Sequence, residues 1–414
     1  MGFVLSAIKI IFLLGFLIFI HEGGHFLVAK LCKVKVNEFA IGFGPTIWKK
    51  QGKETKYALR LIPLGGFVSM EGETENSDAE GSFSKASIPR RIAIVSAGAI
   101  VNIIFAIIVY FILMFSTGTY ISNQIDTTIY GYSAQINSIQ SGDKIIKING
   151  KNIKRADTIT KILSKNKGEN VDLAIERNGE EIQKNISLTK NEIKSTGIYL
   201  KDSNKIIAIE KNSAAEKQGI KANDEIIEIN GENTNNDPQN IVNLINNSQE
   251  AILLKVKRGN DILEINLIPN ITPKYYLGVT FKNAEDTFLN RAYYGITETG
   301  DFLISILDNL KQLFTGNVGI EQMTGPVGIS EAVAETKEIK EFIYLLALIS
   351  LSLGVTNLLP IPALDGGKLL ILIIEAIRRK PLKEGTELKI QTIGFMLIIA
   401  LSLYVTYNDI LRIL

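Results

Sequence analysis

Apolar residues crowd the two ends of this chain, and polar ones rich in Lys, Asn and Glu fill its middle. Four stretches stay apolar over the roughly 20 residues a helix needs to cross a bilayer: 3–29, 92–115, 342–377, and 393–405 with a few flanking residues. Lys9 is the one cation of the first stretch, near its end, where it can snorkel to the interface. The third stretch is too long for a single span and holds Pro360 and Pro362, so it is expected to break there. A cleaved signal peptide is the other reading of the N-terminus. It lacks the basic start and A-x-A-like site of such peptides, and its apolar core runs on into His21 and Glu22.

Between the first two stretches the pattern changes to that of strands: Val34-Lys35-Val36, then Gly42-Phe43-Gly44-Pro45, then residues 57–68. Pro63 and the pair Gly65-Gly66 point to an edge strand or a bend rather than a central strand. Such an edge could hold an extended peptide by strand addition. An ordinary surface hairpin has the same pattern. Residues 71–90, with Glu, Ser, Asp and Gly, read as a mobile connector.

The polar middle is duplicated. Asp143-Lys144-Ile145-Ile146-Lys147-Ile148-Asn149-Gly150 recurs 81 residues later as Asp224-Glu225-Ile226-Ile227-Glu228-Ile229-Asn230-Gly231, and Arg177 recurs as Arg258 in the same register. This indicates a repeated module of about 80 residues. Each copy reads as short Ile/Val-rich strands with a helix, at 157–165 in the first and 237–247 in the second. The first copy has no glycine to match Gly219 and is expected to be a residue shorter there. Residues 287–315 show apolar positions at helical spacing, fit to lie on the membrane surface or to pack against the modules.

Composition and charge narrow the picture. At 414 residues several domains are expected, and a net charge of +2 gives no reason to expect nucleic acid as a partner. The single cysteine, Cys32, excludes an internal disulfide framework and a cysteine-built zinc site. Residues 30–91 carry eleven Lys/Arg and residues 378–389 carry five, which places both loops in the cytoplasm. Both termini and the modules then lie on the outer side.

The candidate chemistry lies at His21-Glu22-Gly23-Gly24-His25, an H-E-x-x-H motif inside the first apolar stretch that holds both histidines of the chain. Four residues make about one helical turn, so both imidazoles can reach one ion. In this motif the carboxylate is not a ligand but a general base. A catalytic zinc site usually takes three protein ligands, and with no third histidine the third must be Asp or Glu. Asp365, in Asn357-Leu358-Leu359-Pro360-Ile361-Pro362-Ala363-Leu364-Asp365-Gly366-Gly367, is a carboxylate in a broken apolar segment that needs a partner. It could also cap the helix that follows.

The D-x-I-x-x-I-N-G core of each module, with Ser213-Ala214-Ala215 and Gly219 ahead of it in the second, resembles bacterial PDZ domains. That resemblance implies peptide binding, with Gly197, Ile198, Tyr199 and Leu200 at the carboxylate-binding loop. Bracing or shielding the membrane part is the alternative role. The whole chain resembles the site-2 protease family of intramembrane metalloproteases, in its regulator of sigma-E protease branch. The motifs that carry the likeness are H-E-x-x-H, G-F-G at 42–44, P-L-G-G at 63–66, the tandem modules, G-P-V at 325–327, and N-x-x-P-x-P-x-L-D-G at 357–366.

The resemblance implies one Zn2+ per chain on His21, His25 and Asp365, with Glu22 as base and Asn357 suited to hold the developing oxyanion. It also implies a substrate clamp in residues 61–68, with Leu61, Ile62, Leu64, Gly65, Gly66 and Phe67. Two positions depart from the family: Gly98-Ala99-Ile100-Val101-Asn102 has Ala99 where a proline is usual, and Lys368 follows D-G-G where histidine is common.

The expected fold is a polytopic α-helical membrane protein of about four spans, with a membrane-associated β-loop region and two inserted α+β PDZ domains. The expected layout is 1–30 first span, 31–90 β-loop and connector, 91–116 second span, 117–190 and 191–270 the two modules, 271–340 outer strand and amphipathic helix, 341–378 broken third span, 379–414 cytoplasmic loop and fourth span. The expected activity is zinc-dependent cleavage of single-span membrane proteins in the bacterial inner membrane, after an upstream protease has trimmed them. The expected partners are those substrates, that protease and the lipid bilayer. A membrane-anchored PDZ adaptor with a structural or absent metal is the alternative.

Overall fold

The computed structural model describes residues 2–73, 77–117, 120–200, 203–248, 251–316, 323–380, 382 and 384–413, without the side chains of residues 2, 3, 63, 64, 384, 412 and 413. By its internal contacts the chain divides into two units, Met1–Thr117 with Arg291–Leu414, and Gly118–Asn290.

The first unit opens with α1 (Gly2–Leu31), an apolar run without proline. It stops where Lys33 turns to φ +60 and the N–H groups of Lys33 and Val34 close onto the carbonyls of Lys30 and Ala29. Then come β1 (Val36–Gln51), β2 (Lys56–Met70) and α2 (Ile88–Thr117). The two strands fold back on each other: residues 38–41 pair with 56–59 on one side and 66–69 on the other, and 46–51 pair with 56–60. Gly65, at φ +101, makes the bend, and the Phe43 ring occupies the space where a Cβ would lie. Residues 66–70 are thus an outer rung that pairs with no further strand among the described residues.

The second unit holds the duplication. Its first copy contains β3 (Ile121–Thr128), α3 (Ser133–Ile136), β4 (Lys144–Ile148), β5 (Lys151–Asn152), α4 (Ala156–Leu163), β6 (Val171–Arg177) and β7 (Glu180–Ile186). After β8 (Thr189–Ser195) the second runs through β9 (Ile198–Leu200), β10 (Ile206–Ile209), α5 (Ala214–Lys217), β11 (Glu225–Ile229), β12 (Glu232–Asn233), α6 (Pro238–Asn247), β13 (Ile252–Arg258) and β14 (Asp261–Leu267). β15 (Asn270–Tyr276) pairs with β8, and β16 (Val279–Asn283) returns to pair with β3.

β16 stands beside β3 as β9 stands beside β10, and Gly278 at φ +77 matches Gly197 at φ +76. The layout expected from the pattern put this strand outside the modules, in 271–340. It completes the sheet of the first copy instead, a pairing between residues too far apart in sequence for a local pattern to reveal. Each copy has its own apolar core, around Ile145 and Leu173 in the first and Ile226 and Leu254 in the second. Ser138 takes the place of Gly219 with φ +55, and the two turns are equal in length, not shorter in the first copy.

The chain then returns to the first unit as α7 (Phe288–Phe314), α8 (Pro326–Glu335), α9 (Ile339–Asn357), α10 (Asp365–Arg378) and α11 (Glu384–Ile413). The buried face of α7 packs on α2 and α9, with Phe302 stacked on Tyr110 at 4.1 Å, a partner its helical spacing did not name. Asp409 of α11 caps α8 from outside, accepting from the N–H groups of Gly325 at 3.2 Å and Gly328 at 2.9 Å.

Among the described residues four helices are long and apolar enough to cross a membrane, within Val4–Leu31, Ile88–Thr117, Ile339–Asn357 and Gly385–Leu411. The break between α9 and α10 falls at residues 358–364, around the two prolines. Gln391 of α11 accepts the N–H of Ala363 there, which sits at φ +74.

Candidate metal centre

α1 presents His21 and His25 on one face, and the start of α10 brings Asp365 to them. Asp365 Oδ2 lies 3.3 Å from His21 Nε2 and 3.4 Å from His25 Nε2, and the two Nε2 atoms are 3.2 Å apart. The histidine side chains are 12% exposed and that of Asp365 22%. His25 Nδ1 is 2.9 Å from the carbonyl of Ile94. A carbonyl only accepts, so that nitrogen carries a proton, and the ring in its neutral form offers Nε2 to a cation. Asp365 Oδ2 is buried and receives no hydrogen bond. Buried acceptors that converge without a donor are costly, and a cation satisfies them. The set of two imidazoles and a carboxylate suits zinc.

Asp365 does not cap its own helix: Leu364 is the N-cap residue and Asp365 begins the first turn. The close approach of α2 to the histidines depends on Gly98. A Cβ at that position would run into His25 Nε2 and lie 2.9 Å from His21 Cε1. With Ala99 in the neighbouring position, α2 runs unbroken from Ile88 to Thr117. Asn102, fully buried one turn further on, has its Nδ2 3.3 Å from His21 Nδ1. The sequence reading did not count Asn102 among the site residues. The signal was there: an amide in an otherwise apolar stretch is costly without a partner.

Glu22 lies against the outer rung of the β-loop, its Cγ 3.1 Å from where a Cβ of Gly66 would be. Asn357 is the last residue of α9, half-buried, just ahead of the break. Of the expected clamp residues, Gly66 and Phe67 belong to the outer rung and Gly65 makes the bend. Leu61 and Ile62 are 60% and 46% exposed, and the Leu64 side chain lies outside the described residues. Gly197, Ile198, Tyr199 and Leu200 belong to the other unit, with Ile198 and Leu200 packed on the second core and Tyr199 45% exposed. Lys368 binds Glu73 at 2.8 Å and lies 5.0 Å from the Phe83 ring centre, tying α10 to the connector.

Membrane-length helices around a His/His/Asp cluster, with a glutamate beside it on H-E-x-x-H, define a metallopeptidase of the membrane. The chain belongs to Peptidase family M50, the site-2 proteases, whose model matches residues 9–401. It is 30% identical over 446 aligned positions to the "Regulator of sigma E protease" of Haemophilus influenzae, covering 100% of both chains. A Vibrio cholerae chain provisionally named a zinc metalloprotease is 32% identical over 454 positions, with 98% of each covered. A solved structure of the HtrA3 PDZ domain bound to a phage-derived ligand is 20% identical and covers 21% of this chain and 93% of that one, with a TM-score of 0.19.

Proposed function

We propose that the chain is an intramembrane zinc metalloendopeptidase that cuts the transmembrane segments of single-span proteins, such as anti-sigma factors or remnant signal peptides. His21, His25 and Asp365 hold one Zn2+ per chain. The observation that carries this reading is the convergence of His21 Nε2, His25 Nε2 and Asp365 Oδ2, the last buried and without a hydrogen-bond partner, beside Glu22.

Zinc, when bound, polarises the scissile carbonyl and acidifies water toward a pKa of about 7. Glu22 takes the proton of the attacking water and returns it to the leaving amine. Asn357 donates its side-chain N–H to the oxyanion that develops. Residues 66–70 hold the substrate as an added strand, since a helical substrate must unwind before its carbonyls can be attacked. Exposed Leu61 and Ile62, with Trp48 and Ile47 at 53% and 62% exposure, give this β-loop an apolar surface suited to lipid.

The duplicated modules act as PDZ domains on the outer side of the bacterial inner membrane, with both termini on that side and the cluster toward the cytoplasm. The basic loops at 30–91 and 378–389 support this orientation. Bulky outer domains are refused until an upstream protease trims them, or the new C-terminus is bound at residues 197–200. The test uses purified protein in detergent and a labelled single-span substrate truncated on its outer side. Cleavage by wild type, lost in Glu22→Gln and on chelation, is the expected result. Zinc binding without cleavage of any of a panel of such substrates would overturn it in favour of an adaptor.

A further inference from the structure

Both ring nitrogens of each histidine matter in a site of this kind. The Nε2 atoms meet Asp365, while the Nδ1 atoms face away, toward α2. His25 has its proton placed by a backbone carbonyl, so its tautomer is fixed by the fold. Among the described residues no backbone carbonyl takes that role for His21. Its Nδ1 faces the amide of Asn102, a side chain with 0% exposure whose Oδ1 has no hydrogen-bond partner.

We infer that Asn102 is the positioning residue for His21, holding Nδ1 so that Nε2 is aimed at Asp365 and is bare when a cation binds. An amide can serve Nδ1 in either protonation state. With Nδ2 toward the ring it donates to a bare Nδ1. Turned about its Cβ–Cγ bond, it accepts the Nδ1 proton through Oδ1, which leaves Nε2 free to bind a cation. The second orientation is the one a metal requires, because a ligating imidazole offers one nitrogen and donates from the other. The amide is held for this task. Ser350 of α9 donates to the Asn102 backbone carbonyl at 2.9 Å, fixing α2 at this level, and Gly98 one turn earlier keeps the imidazoles close. The two histidines are therefore oriented by different devices on one helix, a carbonyl for His25 and a side chain for His21. Only the second can be removed by mutation.

This inference rests on the zinc reading above, and its test separates the two. Zinc affinity of the full chain in detergent is measured by chelator competition for wild type, Asn102→Leu and Asn102→Asp. Ring nitrogen NMR is recorded with and without zinc; the chain has only two histidines, so the spectrum is assignable. Asn102→Leu is expected to weaken zinc about 10–100-fold and to shift the His21 Nδ1 signal, with and without zinc, because that nitrogen loses its hydrogen-bond partner. Asn102→Asp, which can only accept, keeps the affinity within about threefold of wild type and keeps the proton on His21 Nδ1.

Equal affinity and equal ring signals in wild type and Asn102→Leu would overturn the inference and leave Asn102 a packing residue. If Asn102→Leu does not fold, a loss of about tenfold or more in Asn102→Asp overturns it just as well. Wild type that binds no zinc defeats the zinc reading, and the metal-free spectra then decide the role of Asn102 alone.

Discussion

Asp224 in the second module and Asp365 in the cluster are both aspartates held among other elements, and their surroundings treat them in opposite ways. Asp224 receives Arg258 Nε at 2.7 Å, Arg258 Nη2 at 2.8 Å and the Lys221 N–H at 2.9 Å, so its acceptors are filled by the protein itself. Asp143 repeats the arrangement with Arg177 and the Gln140 N–H. Asp365 has a buried oxygen with no donor and two imidazoles in front of it. A closed account of donors and acceptors marks a brace, and an open one marks a binding site.

Breaking that contrast at the cluster should give the largest effect. Glu22→Gln removes the base while sparing the three acceptors, so cleavage is expected to fall by about 10²–10⁴-fold with zinc binding retained. Next comes the steric gate. Gly98→Ala places a methyl against His25 Nε2, and zinc affinity should drop about 100-fold or more. Gly23→Ala, where a Cβ meets nothing within 4 Å, should leave affinity unchanged. The pair separates loss of the site from loss of the helix.

On the braced side, Arg258→Ala leaves a carboxylate that is 1% exposed without its partner. A cost of about 2–3 kcal/mol to the module is expected in chemical denaturation, with zinc content unaltered. Acid should reach the same brace. Burial alone would raise the Asp224 carboxyl, but the Arg258 guanidinium and the Lys221 N–H outweigh it and hold the group below its ordinary value of 3.8. The unfolded chain binds the proton more readily. The stabilisation is therefore full above the unfolded value and lost as pH falls through the folded one, so a melt series should show it fading below about pH 4. Lys368→Ala is expected to do least, under about 1 kcal/mol, since the Lys368–Glu73 pair is partly solvated.

The same contrast explains what could be read in advance. H-E-x-x-H is legible because its spacing is that of one helical turn, and Asp365 because a carboxylate beside the break of an apolar segment needs a partner. The duplication is legible because Asp143 and Asp224, Arg177 and Arg258, repeat in one register. Other contacts between distant elements were not legible. Asn102 meets His21 only after α2 crosses α1, β16 joins β3 across the whole second module, and Asp409 reaches α8 from the last helix. Pattern specifies which face an element buries, while the partner on that face is chosen by tertiary packing.

The most direct test is the zinc content of the purified chain after dialysis, compared among wild type, Glu22→Gln and Asp365→Ala. About one zinc per chain in the first two and little in the third is the expected result for a three-ligand site. Zinc that stays at the wild-type level in Asp365→Ala would contradict the assignment of His21, His25 and Asp365 as the ligands.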